Sequence, residues 1–337
     1  MILSICIPTF NRKKYLENCL DSIVQAKKNK KIKFEVCVSD NGSAVKIDNL
    51  IKFYKKRIKI KFNRFNKNYG FAVNMLKTIS MAEGEFVWVI GNDDLLLPNA
   101  FQKLHYLLKK SSKIDFFYIN SYIFSFNYLE NSSKPMNIKN LPKNMQRFSS
   151  QKKSKSFDFW NLINPKISYD FLTGIFLSVF RRKMFIKNIH AIDKDLIKNK
   201  APWSSLDITV PHVKIFANAF AKSKAYFCAK PLSVNLQGAR EWTNFYEFLE
   251  IVRMPEILDY YRSKGLNFFQ YIYCKNFALR NFFNFFLKIY ISGEKAGSNL
   301  INFKSNILYN LIYPNVYLSI FYFLFRKINF YLNKKNK

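Results

Sequence analysis

The feature that most constrains the fold of this chain is the stretch at residues 85–95. Five consecutive apolar residues are followed by a glycine and then by a polar triplet that includes Asp93 and Asp94. A short uncharged run rich in β-branched and aromatic residues predicts a strand buried on both faces, as parallel strands under helices are. The two carboxylates then lie at the carboxyl end of that strand, where ligands bind in open α/β sheets. Because carboxylates suit a hard divalent cation that also holds phosphates, we hypothesise a metal-assisted site for a phosphate-bearing substrate.

Strands and helices alternate along the first 110 residues. The predicted strands cover residues 2–7, 34–39, 58–62 and 85–90. The segments between them place apolar residues at the three-and-four spacing of a buried helix face, at residues 15–24, 47–56 and 71–79. Such alternation with short connections argues for βαβ units and a mostly parallel sheet, so the predicted fold class is α/β.

The alternating pattern continues less regularly through residues 111–240. We predict strands at residues 116–124, 173–180 and 225–234, and helical stretches after Pro98, at 184–198 and at 203–220. Residues 131–156 are polar and contain no acid, which is typical of a loop that is either a lid or a solvated linker. We therefore expect an α/β domain at residues 1–240, with a regular first half at 1–110 and a less regular second half at 111–240.

The composition changes from residue 241 onward, where long predicted helices are crowded with Phe, Tyr, Lys and Asn. Residues 307–325 contain no charged residue, and a basic end follows them. Their length only reaches the lower limit for a spanning helix. Pro314 and several polar residues favour an interfacial helix anchored by its basic end, and a buried C-terminal helix is the remaining alternative. We predict that residues 241–337 form a helical extension that associates with an anionic membrane surface.

Net charge indicates the kind of partner. The 55 Lys and Arg residues against 22 Asp and Glu leave a charge of +33, which favours a polyanionic partner: nucleic acid, anionic lipid or sugar phosphates. Lys, Asn, Ile and Phe are abundant together, as AT-rich coding DNA would produce, so we do not attribute the whole excess to function. Residues 1–8 lack a basic segment and are too short for a signal peptide, so we expect a protein that is not exported.

Four polar turns each follow a predicted strand, at residues 8–12, 40–43, 68–74 and 92–94. Because parallel strands end at one edge of a sheet, we expect these turns to meet there. A nucleoside diphosphate would need a base-reading acceptor such as Asp40, backbone donors near a glycine such as Gly70, and a cation between its phosphates. The chain contains neither a Gly-x-Gly-x-x-Gly run after the first strand nor a Gly-Lys-Ser/Thr phosphate loop, which argues against a dinucleotide site.

The order and spacing of these turns resemble the successive signatures of family 2 glycosyltransferases with the GT-A fold. The resemblance covers about the first 110 residues, in the segments 4–12, 38–43, 68–74 and 84–94. It implies a Rossmann-like, mostly parallel sheet flanked by helices, with a nucleotide-sugar-binding half at 1–110 and an acceptor-binding half at 111–240. It also implies inverting transfer of a sugar from a nucleotide-sugar donor to a saccharide or lipid-linked acceptor, in the synthesis of bacterial surface polysaccharide or lipooligosaccharide.

The same resemblance suggests which residues form the donor site. The residues expected to line the nucleoside pocket and to contact the base are Pro8, Thr9, Asn11, Arg12 and Asp40. Gly70, Asn74 and Asp93 complete the predicted nucleotide-sugar site. Asp94 is the predicted ligand of a divalent metal ion, Mn²⁺ or Mg²⁺, whereas Asn92 stands where many family members have a third aspartate.

An inverting transfer requires a general base that accepts the proton of the acceptor hydroxyl. The resemblance assigns this role to Asp207, with Asp170 and Glu241 as rivals and a helix-capping role as the alternative for Asp207. We expect His212 to pack in the interior or to line the acceptor site.

Two other functions stay open at this point. The charge would suit a basic nucleic-acid-binding protein, although the core-like spacing of the N-terminal aromatic residues and the lack of a recognition motif argue against a nucleic-acid partner. A catalytically inactive, transferase-like scaffold is the other alternative, suggested by Asn92. For the enzyme, we expect a peripheral location at the cytoplasmic face of the inner membrane or a cytoplasmic one.

Overall fold

The computed structural model describes residues 2–27, 33–111, 113–125, 137–198, 201–237 and 243–335, with side chains described as far as residue 328. The chain forms two compact units. Unit 1 comprises Met1–Leu162 and Lys166–Ala239, and unit 2 comprises Ile163–Pro165 and Arg240–Lys337.

Unit 1 is built around one sheet, which has ten strands within the described residues. The strands are β1 (Leu3–Thr9), β2 (Phe34–Asp40), β3 (Ile60–Arg64), β4 (Phe86–Val89), β5 (Leu95–Leu96), β6 (Ile114–Ser125), β7 (Gln146–Arg147), β8 (Lys155–Asp158), β9 (Ser178–Arg181) and β10 (Lys224–Gln237). Their order across the sheet is β3-β2-β1-β4-β9-β6-β10-β5, with β7 paired to β6 and β8 to β10. Strands β3, β2, β1 and β4 are mutually parallel, whereas β9 runs antiparallel to both of its neighbours.

Helices cover the sheet of unit 1. They are α1 (Lys13–Lys27), α2 (Asp48–Lys55), α3 (Phe71–Ser80), α4 (Ala100–Lys110), α5 (Arg182–Lys187), α6 (Lys194–Lys198), α7 (Leu206–Thr209) and α8 (Pro211–Phe220). All four residues of β4 are buried, and α1 buries Leu16, Cys19, Leu20 and Ile23, which have the spacing of a helix face that packs on a sheet. The strand-helix alternation and the parallel half of the sheet are therefore as the apolar pattern predicted.

The two longer helices predicted in the second half of unit 1 are interrupted. The predicted helix at residues 184–198 is divided into α5 and α6, because the Asp193 carboxylate accepts hydrogen bonds from the N–H groups of Asp195 and Leu196 and so starts a new helix. The predicted stretch at 203–220 is divided into α7 and α8 at Pro211. Proline has no N–H to donate within a helix, but it is well suited to the first position of one.

The polar segment at residues 131–156 contains short strands. Its first six residues, 131–136, lie outside the described residues. Of the remainder, Gln146–Arg147 pairs with β6, and Lys155 begins the strand that pairs with β10. Part of this segment is thus an extension of the sheet, and the choice between a lid and a linker stays a prediction.

Unit 2 consists of helices joined by short turns and contains no strand among the residues that the structure describes. Its α-helices are α9 (Tyr246–Phe248), α10 (Met254–Ser263), α11 (Phe268–Ala278), α12 (Phe282–Ser292) and α13 (Pro314–Lys335), and a π-helical turn at Leu249–Arg253 joins α9 to α10. The uncharged segment predicted as one helix is bent, because Phe303–Asn310 and Pro314–Ile328 meet at 84°. Among the described helices, none is by itself both long and apolar enough to cross a membrane, and these two meet that requirement only when joined across their bend.

Candidate functional site

The turns that follow β1 and β2 are hydrogen-bonded to each other at the carboxyl edge of the sheet. The Asn11 N–H donates to Ser43 Oγ at 2.8 Å, and the Ala44 N–H donates to Asn11 Oδ1 at 2.9 Å. Asn11 has a φ of 51°, in the left-handed region that asparagine tolerates better than most residues. This backbone reversal lets one asparagine contact the second turn through both its main chain and its side chain.

The turn that follows β3 joins the same network. Asn41 Nδ2 donates to Asn68 Oδ1 at 2.8 Å and to the Gly70 carbonyl at 3.1 Å, while the Tyr69 N–H donates to Asn41 Oδ1 at 3.0 Å. From the first turn of α3, Asn74 Nδ2 donates to the Thr9 carbonyl at 3.2 Å. The third turn is thus tied to both the second and the first.

The fourth turn, after β4, closes the arrangement. Asn92 Nδ2 donates to Thr9 Oγ1 at 2.8 Å, and Arg12 Nη1 forms an ion pair with Asp93 Oδ2 at 3.1 Å. Four chain segments that are separated in sequence therefore form one hydrogen-bonded floor at the sheet edge. Pro8 precedes Thr9 in β1, with Ser39 of β2 as its register partner.

Two glycines leave room for close contacts in this floor, with backbone at Gly42 and with carboxylates at Gly91. Gly42 has a φ of +77°, and a Cβ there would lie 2.6 Å from the Lys67 carbonyl carbon. A Cβ at Gly91 would lie 2.5 Å from Asp93 Oδ1 and 3.1 Å from Asp94 Oδ2. Side chains at these positions would separate the second turn from the third, or displace both carboxylates.

Asp40 is fully buried and holds the second turn together. Its Oδ1 accepts from the Ser43 N–H at 3.0 Å and from the Ser43 hydroxyl at 2.5 Å, and its Oδ2 pairs with Arg64 Nη1 at 2.9 Å. Arg64 was missed by the sequence analysis, although its place as the last residue of β3 is a signal that could have found it. A contact between Asp40 and a base stays a prediction, and in this conformation both carboxylate oxygens are engaged by the protein.

The two neighbouring aspartates of the fourth turn have different environments. Asp94 is 1% exposed, and its Oδ2 accepts from the Gly91 N–H at 2.6 Å while its Oδ1 accepts from Asn235 Nδ2 at 2.7 Å. The Asp93 side chain is 13% exposed. Of the two carboxylates, Asp93 is thus the one that reaches the surface. Asn235 lies on β10, 141 residues from Asp94, and no sequence signal connects the two.

The donor set limits what kind of cation the site could hold. Within the described ranges of the chain, no group of three or more His, Cys, Asp or Glu side chains could hold a metal ion. One surface-reaching carboxylate fits an ion such as Mg²⁺, which proteins commonly bind through one or two carboxylates, the remaining positions being filled by phosphates and water. The phosphate oxygens of the substrate would then supply ligands that the protein lacks.

Asp207 lies on α7, which packs against α3, the helix that carries Asn74. Its buried carboxylate accepts from the Asp193 N–H at 2.8 Å and contacts Lys214 Nζ at 2.8 and 2.9 Å. Asp207 is therefore bonded to the chain ahead of α6 and to a lysine of α8. The alternative role as a cap of its own helix finds no support, since the capping position of α7 is Ser205.

Asp170 and His212 stabilise an interior turn. The Asp170 carboxylate accepts from Ser168 Oγ and from the Gly174 N–H, both at 2.7 Å, and burial raises its pKa. His212 Nε2 lies 3.1 and 3.0 Å from the carbonyl oxygens of Leu172 and Thr173. Burial lowers the pKa of His212 to about 4, so the imidazole is neutral at neutral pH and its Nε2–H donates to these carbonyls. Glu241, the other rival base, lies outside the described residues.

Comparison with protein families gives one match that spans more than half of the chain. The profile of the family described as glycosyl transferase family 2 matches residues 4–181. The abequosyltransferase RfbV of Salmonella typhimurium is 34% identical over 116 residues, covering 34% of this chain and 34% of that protein. The poly(ribitol-phosphate) beta-N-acetylglucosaminyltransferase TarS of Staphylococcus aureus is 31% identical over 98 residues, covering 28% of this chain and 17% of TarS. The aligned part thus spans at most about a third of the length of these two relatives.

Solved structures resemble this chain over a larger part of its length. Residues 1–349 of S. aureus TarS in complex with UDP superpose with a TM-score of 0.58 at 15% identity, covering 84% of this chain and 72% of that one. The same TarS fragment in complex with UDP-GlcNAc gives a TM-score of 0.58, covering 89% and 76%. At this identity the likeness establishes the fold, and it confirms the predicted α/β, GT-A architecture with a helical C-terminal region.

Proposed function

The chain belongs to glycosyl transferase family 2, and from that premise we propose that it transfers a sugar from a nucleoside-diphosphate sugar to a saccharide or lipid-linked acceptor. The product would be a cell-surface polysaccharide or lipooligosaccharide. The observation that carries this proposal is the hydrogen-bonded floor in which the four strand-end turns meet. The names of RfbV and TarS, and the UDP and UDP-GlcNAc bound to TarS, support a nucleotide-sugar donor.

In this proposal the donor lies on the floor, with its nucleoside against the turns after β1 and β2. Pro8, Thr9 and Asn11 form the surface against which the nucleoside lies. Asp40 contributes indirectly, because its hydrogen bonds to Ser43 hold the second turn in place. Gly70 and Asn74 hold the third turn against the first. The diphosphate competes for Arg12, whose guanidinium pairs with Asp93 in the unbound chain.

A divalent cation, Mg²⁺ or Mn²⁺, would neutralise the charge that develops on the departing diphosphate. The sequence resemblance assigned it to Asp94, but Asp94 is buried and both its oxygens accept hydrogen bonds from the protein. We therefore assign the cation to Asp93, the carboxylate that reaches the surface. Asp94 then has the role of fixing the backbone of the turn from beneath.

Inverting transfer needs a base on the acceptor side of the donor sugar. Asp207 accepts the proton of the acceptor hydroxyl while that oxygen bonds to the anomeric carbon and the bond to the diphosphate breaks. Because Lys214 contacts both oxygens of this carboxylate, the acceptor hydroxyl must share or displace the ammonium group. His212 takes no part in proton transfer, since it is neutral and its Nε2 is engaged by two carbonyls.

A thermal-shift screen of nucleotide sugars with and without Mn²⁺ tests the donor proposal. A ligand at about 100 times its Kd adds about 2.7 kcal/mol of stability, which raises Tm by on the order of 5–10 °C for a unit of this size. Arg12→Gln should reduce the shift, whereas Arg57→Gln, which removes an exposed guanidinium that lies over Phe53, should not.

A screen in which no nucleotide sugar raises Tm, while duplex DNA or RNA does, would favour the nucleic-acid alternative. Binding without release of nucleoside diphosphate would favour the inactive scaffold.

We further propose that unit 2 binds the anionic cytoplasmic face of the inner membrane. On α13, the residues Tyr317, Leu318, Phe321, Phe325 and Ile328 share one helix face and are all exposed, with Phe321 at 68%. After Glu294 the sequence contains seven Lys and Arg residues and no acid. An exposed apolar helix face next to basic residues is the pattern of an interfacial helix.

Deleting residues 307–337 should release the protein from membranes while its nucleotide-sugar thermal shift persists, since the donor site lies in unit 1. The pair Phe321→Glu and Phe325→Glu in the full chain should have the same effect without removing a helix, because both side chains are exposed. Phe53→Glu, at an exposed phenylalanine of unit 1, is the matched control. Membrane pelleting of both altered proteins at the wild-type level would show that the membrane proposal is wrong.

A further inference from the structure

Unit 2 contains a cavity of about 290 Å³ in which basic and aromatic side chains meet. Arg280 lies on the turn that precedes α12, Asn284 on α12, and the remaining lining residues mostly on α13. The members that bear on the argument are Arg280, Asn284, Ser319, Tyr322, Arg326 and Lys327. No carboxylate belongs to the lining, so the electrostatic field of the cavity favours an anion.

The three cations of the cavity are held differently. Arg280 is fixed in place: its guanidinium lies 4.2 Å from the Phe277 ring centroid, and its Nη2 is 3.3 Å from the buried carboxylate of Glu250, which offsets part of its charge. Lys327 Nζ lies 5.1 Å from the Phe323 ring centroid, and among the residues whose side chains are described neither Lys327 nor Arg326 forms an ion pair. These last two residues therefore supply the uncompensated positive charge.

The helix that supplies these two cations is anchored on one side and exposed on the other. Ser319 Oγ accepts from the Phe283 N–H at 3.0 Å, and the rings of Phe283 and Phe323 pack edge to face at 5.3 Å, which fixes α13 on α12. The opposite face carries exposed Phe321 and Phe325. The anion-favouring cavity and the exposed apolar face thus lie on the same helix.

We propose that this cavity binds the phosphate diester of an anionic phospholipid such as phosphatidylglycerol, an inference that rests on the proposed membrane association of unit 2. Arg326 and Lys327 contact the phosphate oxygens, Arg280 and Asn284 form the inner wall, and the exposed aromatic face lies among the acyl chains. The exposed apolar face on the other side of the same helix favours a lipid over a free phosphate, because a soluble anion would leave that face in water. At about 290 Å³ the cavity is at the lower end of ligand pockets, which suits a headgroup better than a nucleotide sugar.

Flotation of the full chain with vesicles tests this site. Wild type should bind vesicles that contain phosphatidylglycerol more tightly than vesicles of phosphatidylcholine alone. The double variant R326Q/K327Q should weaken that binding on the order of 10- to 30-fold. The variant K295Q/K304Q removes the same charge from unit 2 outside the cavity lining and should weaken it less than about threefold. Equal losses in the two double variants would mean diffuse attraction and would overturn the site.

Asn284→Trp tests the space of the cavity independently of its charge, because the indole ring fills the cavity and no cation is removed. We expect it to weaken vesicle binding on the order of tenfold, and an unchanged affinity would overturn the proposal. Titration with a short-chain, monomeric phosphatidylglycerol should show saturable binding that Asn284→Trp removes. Inorganic phosphate that bound equally well would overturn the lipid assignment. The nucleotide-sugar thermal shift of the same preparations reports the donor site separately, so a wild-type protein that shows this shift but binds both kinds of vesicle equally overturns only the lipid site.

Discussion

Replacing Asp207 with asparagine should lower kcat by about 10²- to 10⁴-fold, the usual contribution of a general base. Asparagine has nearly the same shape and can still accept the hydrogen bond from the Asp193 N–H, but it cannot take the proton of the acceptor hydroxyl. Donor binding should change little, because Asp207 lies on α7 and the floor that holds the donor is made by the strand-end turns. The measurement is kcat for sugar transfer beside the nucleotide-sugar thermal shift.

A second substitution distinguishes the role of Asp207 as a base from its role as the ion-pair partner of Lys214. Lys214→Met removes the partner of Asp207 and leaves the carboxylate in place, so kcat should stay within about tenfold of wild type once both proteins are assayed where they are folded. The same change leaves a buried carboxylate without its lysine and should reduce the free energy of unfolding by about 3 kcal/mol, measured with urea. Equal loss of kcat in the two variants would mean that Asp207 serves only as the partner of Lys214.

The first half of unit 1 could be predicted closely because its signals are local. A continuous apolar run such as β4 is a buried strand, and a polar turn directly after it must lie at the carboxyl edge of a parallel sheet. Four such turns therefore had to meet, and their hydrogen bonds through Thr9, Asn11 and Asn41 follow from that topology. The pattern specified where these residues lie, although it could not specify which atoms pair.

The parts that could not be predicted depend on partners distant in sequence or on helix ends. Asn235, on β10, holds one oxygen of Asp94 inside the protein, and no pattern near Asp94 indicates this. The break before α6 depends on one carboxylate, that of Asp193. The apolar residues on both sides of it keep the spacing of a continuous helix, so the sequence pattern did not indicate the break. In unit 2, aromatic residues occur on every side of the helices, so periodicity could not distinguish one straight helix at residues 307–325 from two that meet at 84°.

Because the two aspartates of the fourth turn have different environments, we expect substitution of Asp93 to affect mainly catalysis and substitution of Asp94 to affect mainly stability. Asp93→Asn should lower kcat by about 10³-fold, or about 4 kcal/mol of transition-state stabilisation, because it removes the carboxylate that reaches the surface. It should also weaken Mn²⁺ binding, measured in the presence of the nucleotide sugar that raises Tm in the screen. The free energy of unfolding should fall by about 1 kcal/mol, since the partly buried ion pair with Arg12 is lost while the asparagine oxygen can still accept a hydrogen bond from that guanidinium.

Asp94→Asn should lower the free energy of unfolding. Its two carboxylate oxygens accept from two donors, the Gly91 N–H and Asn235 Nδ2, whereas an asparagine offers one oxygen and turns an amide N–H towards the other donor. One buried donor then loses its acceptor, which should cost about 1–3 kcal/mol in urea unfolding. Mn²⁺ binding by the folded fraction should persist. If Asp94→Asn abolishes Mn²⁺ binding while Asp93→Asn retains it, the cation binds at Asp94, as the resemblance of the sequence predicted. Asp94 would then have to give up at least one of its two hydrogen bonds when the donor binds.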